Sequence, residues 1–299
     1  MRSLSTFILS LCVVYVSLGQ ARIESEYKIS VPNDQQEALW PFLQSTFVNN
    51  VEGILPENIQ TEVATEIFYD TYYDDSGETL LSYQAGARYR ERYVEDSLLK
   101  TLLQLKVPTL DELGIARTEH KFSPESNFDI NDRTGLHPFL KHVKRKDVND
   151  VDLVLGQFGT TSRKMQEALK LKQVRKRIYV SDPLGALMTF TLDEVSAFHF
   201  PYTQFVELEL ELNEVRYTDA DPAQKIELEK MNAKAKAAIF QNFENIEQDQ
   251  TPKYNKMHAA LAAQPSAWIY NNLMYIFLAC ISMCAIIILL KNETRFANT

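Results

Sequence analysis

Charged and apolar residues alternate along almost every candidate β-strand of this chain, and this pattern restricts the fold more than any other feature. The segment Phe205 to Leu212 reads FVELELEL, and its three glutamates share one face of a strand. Its valine and leucines share the other face, because successive strand side chains point to opposite sides. One such strand, taken alone, is an amphipathic strand whose acids face water.

The same alternation recurs in the other segments that favour strand, and their charged faces mix both signs. Their charged positions are Glu24, Glu26 and Lys28; Arg88, Arg90 and Arg92; Lys106; Arg117 and Glu119; Arg175 and Arg177; and Asp193. Two segments predicted to be helical, Asn33–Phe47 and Asp221–Glu247, carry apolar stripes that need a partner. The segment Asn127–Lys172, which contains the basic stretch His142–Lys146, is also predicted to be mainly helical.

These patterns together predict a sheet whose apolar faces point outward beneath helices and whose charged faces point inward. Closing such a sheet gives a β-barrel with a polar, charged lumen. Burying about a dozen ionised groups without partners would cost several kcal/mol each, so this lumen must hold water and ions. Its bases would bind a polyanion, and its clustered carboxylates would bind a hard cation such as Mg²⁺ or Mn²⁺.

Several motifs occur in an order that resembles the CYTH superfamily, also called triphosphate tunnel metalloenzymes. An N-terminal Glu-x-Glu-x-Lys is followed by a Tyr-Asp-Thr segment leading to Arg-x-Arg, and LLQLK ends in a strand lysine. ARTEHKF, VRKRIYV, FTLDEV, FVELELE and the closing KYNKMHAAL then follow in the family order. The likeness covers roughly residues 23–261. It implies an α+β fold, an antiparallel eight-stranded barrel or tunnel flanked by helices.

The resemblance also implies roles for the charged positions. Phosphate oxygens would be bound by Lys28, Arg88, Arg90, Lys106, Arg117, Arg175 and Arg177. Glu24, Glu26 and Glu119 would be catalytic, and Glu24, Glu26, Asp193, Glu207 and Glu209 would hold the metal, Mg²⁺ or Mn²⁺.

The expected function is a membrane-anchored, divalent-metal-dependent triphosphatase acting on inorganic or organic triphosphates. The alternatives are a non-catalytic receptor for polyphosphate or a phosphorylated ligand, or a family adenylate cyclase or polyphosphate polymerase, which use similar tunnels. The formal net charge of −9 argues against a nucleic-acid partner held by bulk charge. It does not exclude a local basic pocket.

The two ends of the chain are predicted to lie outside this domain. Residues 1–20 are typical of a secretory signal peptide. The apolar run 267–290 is long enough for one transmembrane helix across a ~30 Å hydrocarbon core, and residues 291–299 would form a short cytoplasmic tail. These segments predict a type I membrane protein whose main domain, 23–261, lies outside the cytoplasm. All three cysteines fall in the apolar ends, so this domain would have no disulfide.

Overall fold

The computed structural model describes residues 21–50, 53–108, 116–124 and 137–264 together with Met283, and only the backbone at 21–25 and 116. The predicted signal peptide (1–20), transmembrane helix (267–290) and tail (291–299) lie outside these residues, apart from Met283. Over the part of the chain that is described, no helix is both long enough and apolar enough to cross a bilayer.

Nine antiparallel strands form one sheet within the described residues. They are β1 (Ala21–Val31), β2 (Gln60–Asp74), β3 (Gly86–Val94), β4 (Ser97–Pro108), β5 (Ala116–Phe122), β6 (Gln166–Asp182), β7 (Gly185–Ala197), β8 (Gln204–Leu212) and β9 (Glu247–Gln248). Their hydrogen-bonded order is β5-β4-β3-β2-β6-β7-β8-β1-β9, with an additional pairing of β5 with β1. β1 therefore pairs with β5 through residues 21–25 and with β8 through residues 26–31.

Six α-helices of the described residues pack against this sheet, most of them on its outer side, and the last one contributes Lys253 and Tyr254 to the inner side. They are α1 (Gln36–Leu43), α2 (Thr79–Ser82), α3 (Val148–Gly156), α4 (Glu214–Asp219), α5 (Pro222–Asn242) and α6 (Lys253–Ala262). A π-helical turn, Gln44–Val48, continues α1. A capping box starts α5, because Asp221 and Gln224 bond reciprocally to each other's backbone N–H groups, and Pro222 fits the first turn.

The apolar faces of the strands point outward beneath these helices, as the alternation predicts. Ile29, Phe190 and Leu208 are fully buried in one cluster with residues of α1 and α5, and Phe47 stacks on Phe190 with ring centroids 4.0 Å apart. A second cluster joins β3 and β4 to α2 and α3. Burial of each large apolar side chain contributes about 1.5–3 kcal/mol, so the helices hold the sheet in shape from outside.

Two predictions from the sequence need correction. The antiparallel sheet with flanking helices is confirmed, but the count of eight strands is wrong, because β9 adds a ninth beside Ile29 and Ser30. A two-residue strand is too short for any alternation to reveal it. The helical prediction for Asn127–Lys172 is also wrong in its last part, where β6 begins at Gln166 and pairs with the long strand β2.

Candidate functional site

The charged faces of the strands surround a cavity of about 380 Å³. This volume lies within the roughly 300–1,000 Å³ typical of small-molecule sites. Each of the strands β1 to β8 contributes to its wall. Among the described residues that line it, eleven are Lys or Arg and four are Glu. The wall is therefore strongly basic although the whole chain carries a formal charge of −9.

Asp70 of β2 anchors the arginines of β3. Arg90 donates from Nε to Oδ1 and from a terminal nitrogen to Oδ2, each at 2.6 Å, and Arg88 lies 3.3 Å from Oδ2. Asp70 is fully buried, and burial alone would raise the pKa of its carboxyl group. The guanidinium groups of Arg90 and Arg88 outweigh this effect and lower the pKa of Asp70 to about 2. The carboxylate therefore stays ionised and fixes both arginines.

Glu66, four residues before Asp70 on β2, holds two other arginines in the same way. Arg92 binds one of its oxygens, and a terminal nitrogen of Arg177 lies 3.4 Å from the other. The Arg177 guanidinium also donates to the Tyr179 hydroxyl at 2.9 Å. Between Glu66 and Asp70, the Phe68 ring lies beneath the Arg90 guanidinium at 4.4 Å. Arg90 is thus held both by the Asp70 carboxylate and by the face of the Phe68 ring.

Two further acids hold the lysines of β1, β4 and β5. Glu26 lies 3.1 Å from Lys28 and 3.3 Å from Lys106. Glu119 lies 2.5 Å from Lys121 and 3.8 Å from Lys106, and it accepts a hydrogen bond from Gln104. Glu26 and Glu119 both line the cavity, so a bound molecule would meet carboxylates here as well as ammonium groups.

The carboxylates of β7 and β8 meet two lysines from α6. Lys253 Nζ lies 2.5 Å from Glu209, 2.7 Å from Glu207 and 3.0 Å from Asp193. Burial alone would lower the pKa of Lys253, but these three carboxylates raise it well above its ordinary value. Lys256 binds the other oxygen of Glu207. Lys253 is therefore charged inside a dense ion network, which Lys256 joins through its contact with Glu207.

Arg175 completes this network from β6. Its Nε donates to Asp193 at 2.6 Å, and a terminal nitrogen lies 3.2 Å from Glu209. Burial opposes ionisation of Glu209, but Lys253, Lys28 and Arg175 together hold its pKa well below the usual range. Asp193 and Glu207 are fully buried and lie behind the cavity wall, whereas Glu209 reaches the wall.

Ten of the predicted site residues come together on the wall of one cavity. They are Glu26, Lys28, Arg88, Arg90, Lys106, Arg117, Glu119, Arg175, Arg177 and Glu209. Asp193 and Glu207 lie behind the wall, and for Glu24 the structure describes the backbone, which pairs with that of Arg117. The roles assigned to these residues stay predictions.

Sequence reasoning missed the acids and lysines that support the wall. Glu66, Phe68 and Asp70 lie at every second position of β2, so all three are on its inward face. The sequence shows this spacing, but the many aromatic residues of the segment make it hard to recognise. Lys253 and Lys256 lie three residues apart, which places both on one face of a helix. The two lysines of KYNK therefore provide a sequence signal from which both charges could have been predicted to lie in the site.

Three of the five carboxylates predicted to hold Mg²⁺ or Mn²⁺ do not fit a divalent ion in the arrangement seen here, and the metal-binding roles of Glu24 and Glu26 stay predictions. Lys253, Lys256 and Arg175 occupy the oxygens of Asp193, Glu207 and Glu209. Over the residues that the structure describes, no group of three or more His, Cys, Asp or Glu side chains is arranged to hold a metal ion.

The fold and the wall define a class of protein, namely antiparallel β-proteins that enclose a basic, polar cavity suited to a polyanion. The sequence model of the CYTH domain family matches residues 22–237. The chain therefore belongs to the CYTH family.

The solved structures that match this chain share little sequence with it. The PH1819 protein of Pyrococcus horikoshii OT3 is 18% identical, with 80% of this chain and 99% of that chain covered and a TM-score of 0.42. HpAC1 of Hippeastrum, described as a suspected adenylyl cyclase with a dominant triphosphatase activity, is 18% identical, with coverage of 79% and 95% and a TM-score of 0.46. The Pct1 RNA triphosphatase of S. pombe is 10% identical, with coverage of 74% and 82% and a TM-score of 0.35. No curated protein matches the chain.

Proposed function

We propose that the protein binds a triphosphate in this cavity and hydrolyses its terminal phosphoanhydride bond. The observation that carries the proposal is the wall of eleven bases and four acids inside an acidic chain. A triphosphate presents several negative charges in a short length, and such a wall attracts it by electrostatics and by charge-assisted hydrogen bonds. We further propose that β1 to β8 enclose the cavity as a tunnel.

The bases would bind and orient the phosphates. Arg88 and Arg90 are fixed by Asp70, and Arg177 is fixed by Glu66 and Tyr179, so their remaining N–H groups keep a set geometry. Arginine in a fixed plane suits phosphate oxygens, and little side-chain reorganisation is then needed as charge shifts in the transition state. Lys28, Lys106, Arg117 and Arg175 complete the predicted contacts.

The acids Glu26 and Glu119 would position the attacking water. The water oxygen forms a bond to the terminal phosphorus, and the bond from that phosphorus to the bridging oxygen breaks. The bridging oxygen leaves with the electron pair as part of diphosphate, and a carboxylate accepts the water proton before passing it to solvent. Glu26 is the stronger candidate, because its side chain is 12% exposed whereas that of Glu119 is 1% exposed, so Glu26 is the more accessible to a water in the cavity. Glu24 stays a predicted partner of Glu26.

Divalent-metal dependence is implied by the family, but we derive no step through a metal. The carboxylates Asp193, Glu207 and Glu209 are neutralised by protein cations in the arrangement described. A divalent ion could reach the cavity as the counter-ion of the triphosphate, in which case it is part of the substrate.

We also propose, from the sequence, that the cavity domain (23–261) faces out of the cytoplasm. A signal peptide at 1–20 and a membrane helix at 267–290 would direct and hold it there. Treatment of intact cells with an external protease tests this topology. Removal of the domain would support it, and protection of the domain until the cells are lysed would contradict it.

A substrate screen on the purified full chain in detergent tests the activity. Tripolyphosphate, nucleoside triphosphates, thiamine triphosphate and long polyphosphate are each supplied with Mg²⁺, with Mn²⁺ or with EDTA, and released phosphate is measured. We expect phosphate release from at least one short triphosphate. Production of cyclic AMP from ATP would indicate a cyclase instead, and lengthening of polyphosphate from ATP would indicate a polymerase.

A non-catalytic receptor for polyphosphate or a phosphorylated ligand is the second candidate. The neutralised carboxylates favour it, because acids held by Lys253 and Lys256 are not available to organise a metal. Calorimetric binding of tripolyphosphate without turnover in any of the metal conditions would support this role. Turnover at a wild-type cavity that is lost when the cavity is altered would contradict it.

A further inference from the structure

The Lys253 ammonium group occupies the position where a cation would sit among three carboxylates. Its Nζ contacts Glu209, Glu207 and Asp193 at 2.5, 2.7 and 3.0 Å, which are hydrogen-bonding distances. These acids lie on neighbouring strands, and all three are buried. The Lys253 ammonium donates hydrogen bonds to Glu207 and Glu209, and its contact with Asp193 is an ion pair, so all three carboxylates are engaged by one protein cation.

The remaining capacity of these acids is also taken by protein cations. Arg175 binds Asp193 and reaches Glu209, and Lys256 binds Glu207. Lys28 also lies 3.5 Å from Glu209 and 3.8 Å from Glu207. Three carboxylates therefore face three ammonium groups and one guanidinium. A divalent ion added here would meet four positive groups within a few ångströms, and repulsion in a buried site is strong.

Helix α6 holds Lys253 in this position. The next residue, Tyr254, is buried, stacks on Tyr72 with ring centroids 5.1 Å apart, and donates its hydroxyl hydrogen to Asp74 at 3.2 Å. Asn255 donates from its side chain to the Leu81 carbonyl at 2.8 Å. The lysine therefore belongs to a packed, hydrogen-bonded segment, and to move away from the acids it must disturb that segment.

We propose that Lys253 is a resident cation that takes the place of a divalent metal ion at Asp193, Glu207 and Glu209. The inference deepens the proposed function, because it concerns the same cavity and rests on it for its biological meaning. Any divalent ion used in turnover then enters with the phosphate ligand or binds elsewhere in the cavity. The three carboxylates serve instead to hold Arg175 and Lys253 in place.

Mn²⁺ binding to the full chain without phosphate tests the proposal, with free Mn²⁺ measured by electron paramagnetic resonance. Lys253→Met keeps the apolar stem and removes the charge, so it should bind one Mn²⁺ more per chain than the wild type. Lys230→Met, on an exposed turn of α5, is the matched control and should bind as the wild type does. An unchanged number of Mn²⁺ ions in Lys253→Met would overturn the proposal.

Glu209→Gln provides a test that does not depend on the folding of Lys253→Met. In the otherwise wild-type chain it should leave Mn²⁺ binding unchanged, because a resident lysine already excludes the metal. Combined with Lys253→Met, it should remove the additional ion. A loss of Mn²⁺ in the single Glu209→Gln variant would show that metal displaces Lys253 and would reject the proposal. Since none of these readouts needs turnover, they remain decisive if the protein proves to be a receptor.

Discussion

Asp70 and Arg90 face each other across β2 and β3 and form a two-point ion pair, with both nitrogen–oxygen distances at 2.6 Å. Arg90 lines the cavity, and Asp70 is fully buried behind it. A second guanidinium, that of Arg88, shares the same carboxylate. One acid thus keeps two arginines in fixed positions, and its replacement should lower the stability of the fold.

The Asp70 carboxylate should make folding stability depend on pH in the acid range. Its folded pKa of about 2 lies below the unfolded value of about 3.9, so ionised Asp70 stabilises the fold above pH 4. About 2 kcal/mol of that contribution is lost as the pH falls from about 4 to 2. Urea unfolding across this range should show a loss of stability that is smaller by about 2 kcal/mol in Asp70→Asn than in the wild type.

The same unfolding experiment also measures how much stability is lost when Arg88 and Arg90 have no acidic partner. At pH 7 Asp70→Asn should be destabilised by about 3–5 kcal/mol, because Arg88 and Arg90 lose their buried partner. Asp219→Asn, at an exposed position at the end of α4, is the control and should follow the wild type at every pH. An Asp70→Asn curve parallel to that of the wild type between pH 4 and 2 would count against the assignment.

Glu26→Gln should separate binding from turnover. The substitution keeps the size of the side chain but removes its ability to accept the proton of the attacking water. Loss of a general base lowers rates by about 10²–10⁴-fold, so phosphate release should fall by at least about 10²-fold while tripolyphosphate still binds. Glu227→Gln, on the exposed face of α5, provides the matched control. Phosphate release by Glu26→Gln at the rate of that control would exclude Glu26 as the base.

Asp221→Ala should weaken the helix that covers the sheet without changing the site. Asp221 caps the first turn of α5, and loss of such a cap costs about 1 kcal/mol. Thermal unfolding followed by circular dichroism should shift downward by a few degrees, and activity per folded molecule should stay the same. A lower activity at an unchanged unfolding temperature would link Asp221 to the chemistry and contradict this description.

The sequence carried most of the information about the cavity, because strand alternation is a local and regular signal. Arg88 and Arg90 can share the wall with Lys106 only if their strands pair with charged faces on one side, and the structure has that register. The boundaries of β6 were less readable. Its first residues, QEALKLK, also suit a helix, and pairing with β2 decides the outcome.

The ion network behind the wall was not predictable in the same way. Asp193 and Glu207 look like metal ligands when only their own strands are considered, since carboxylates cluster there. Lys253 contacts both acids from a helix about fifty residues farther along the chain. No local sequence pattern predicts such a long-range contact. A pairing that depends on tertiary packing of α6 had to come from the structure.

Calorimetric titration of the full chain with tripolyphosphate tests the central claim most directly. The wild type should bind one equivalent, and the affinity should fall as salt is added because the contacts are ionic. Lys106→Met should weaken binding by about ten-fold or more, the loss expected for one hydrogen bond to a charged group, and Lys230→Met should bind like the wild type. Equal affinity in all three chains would contradict the claim that this basic cavity is the triphosphate site.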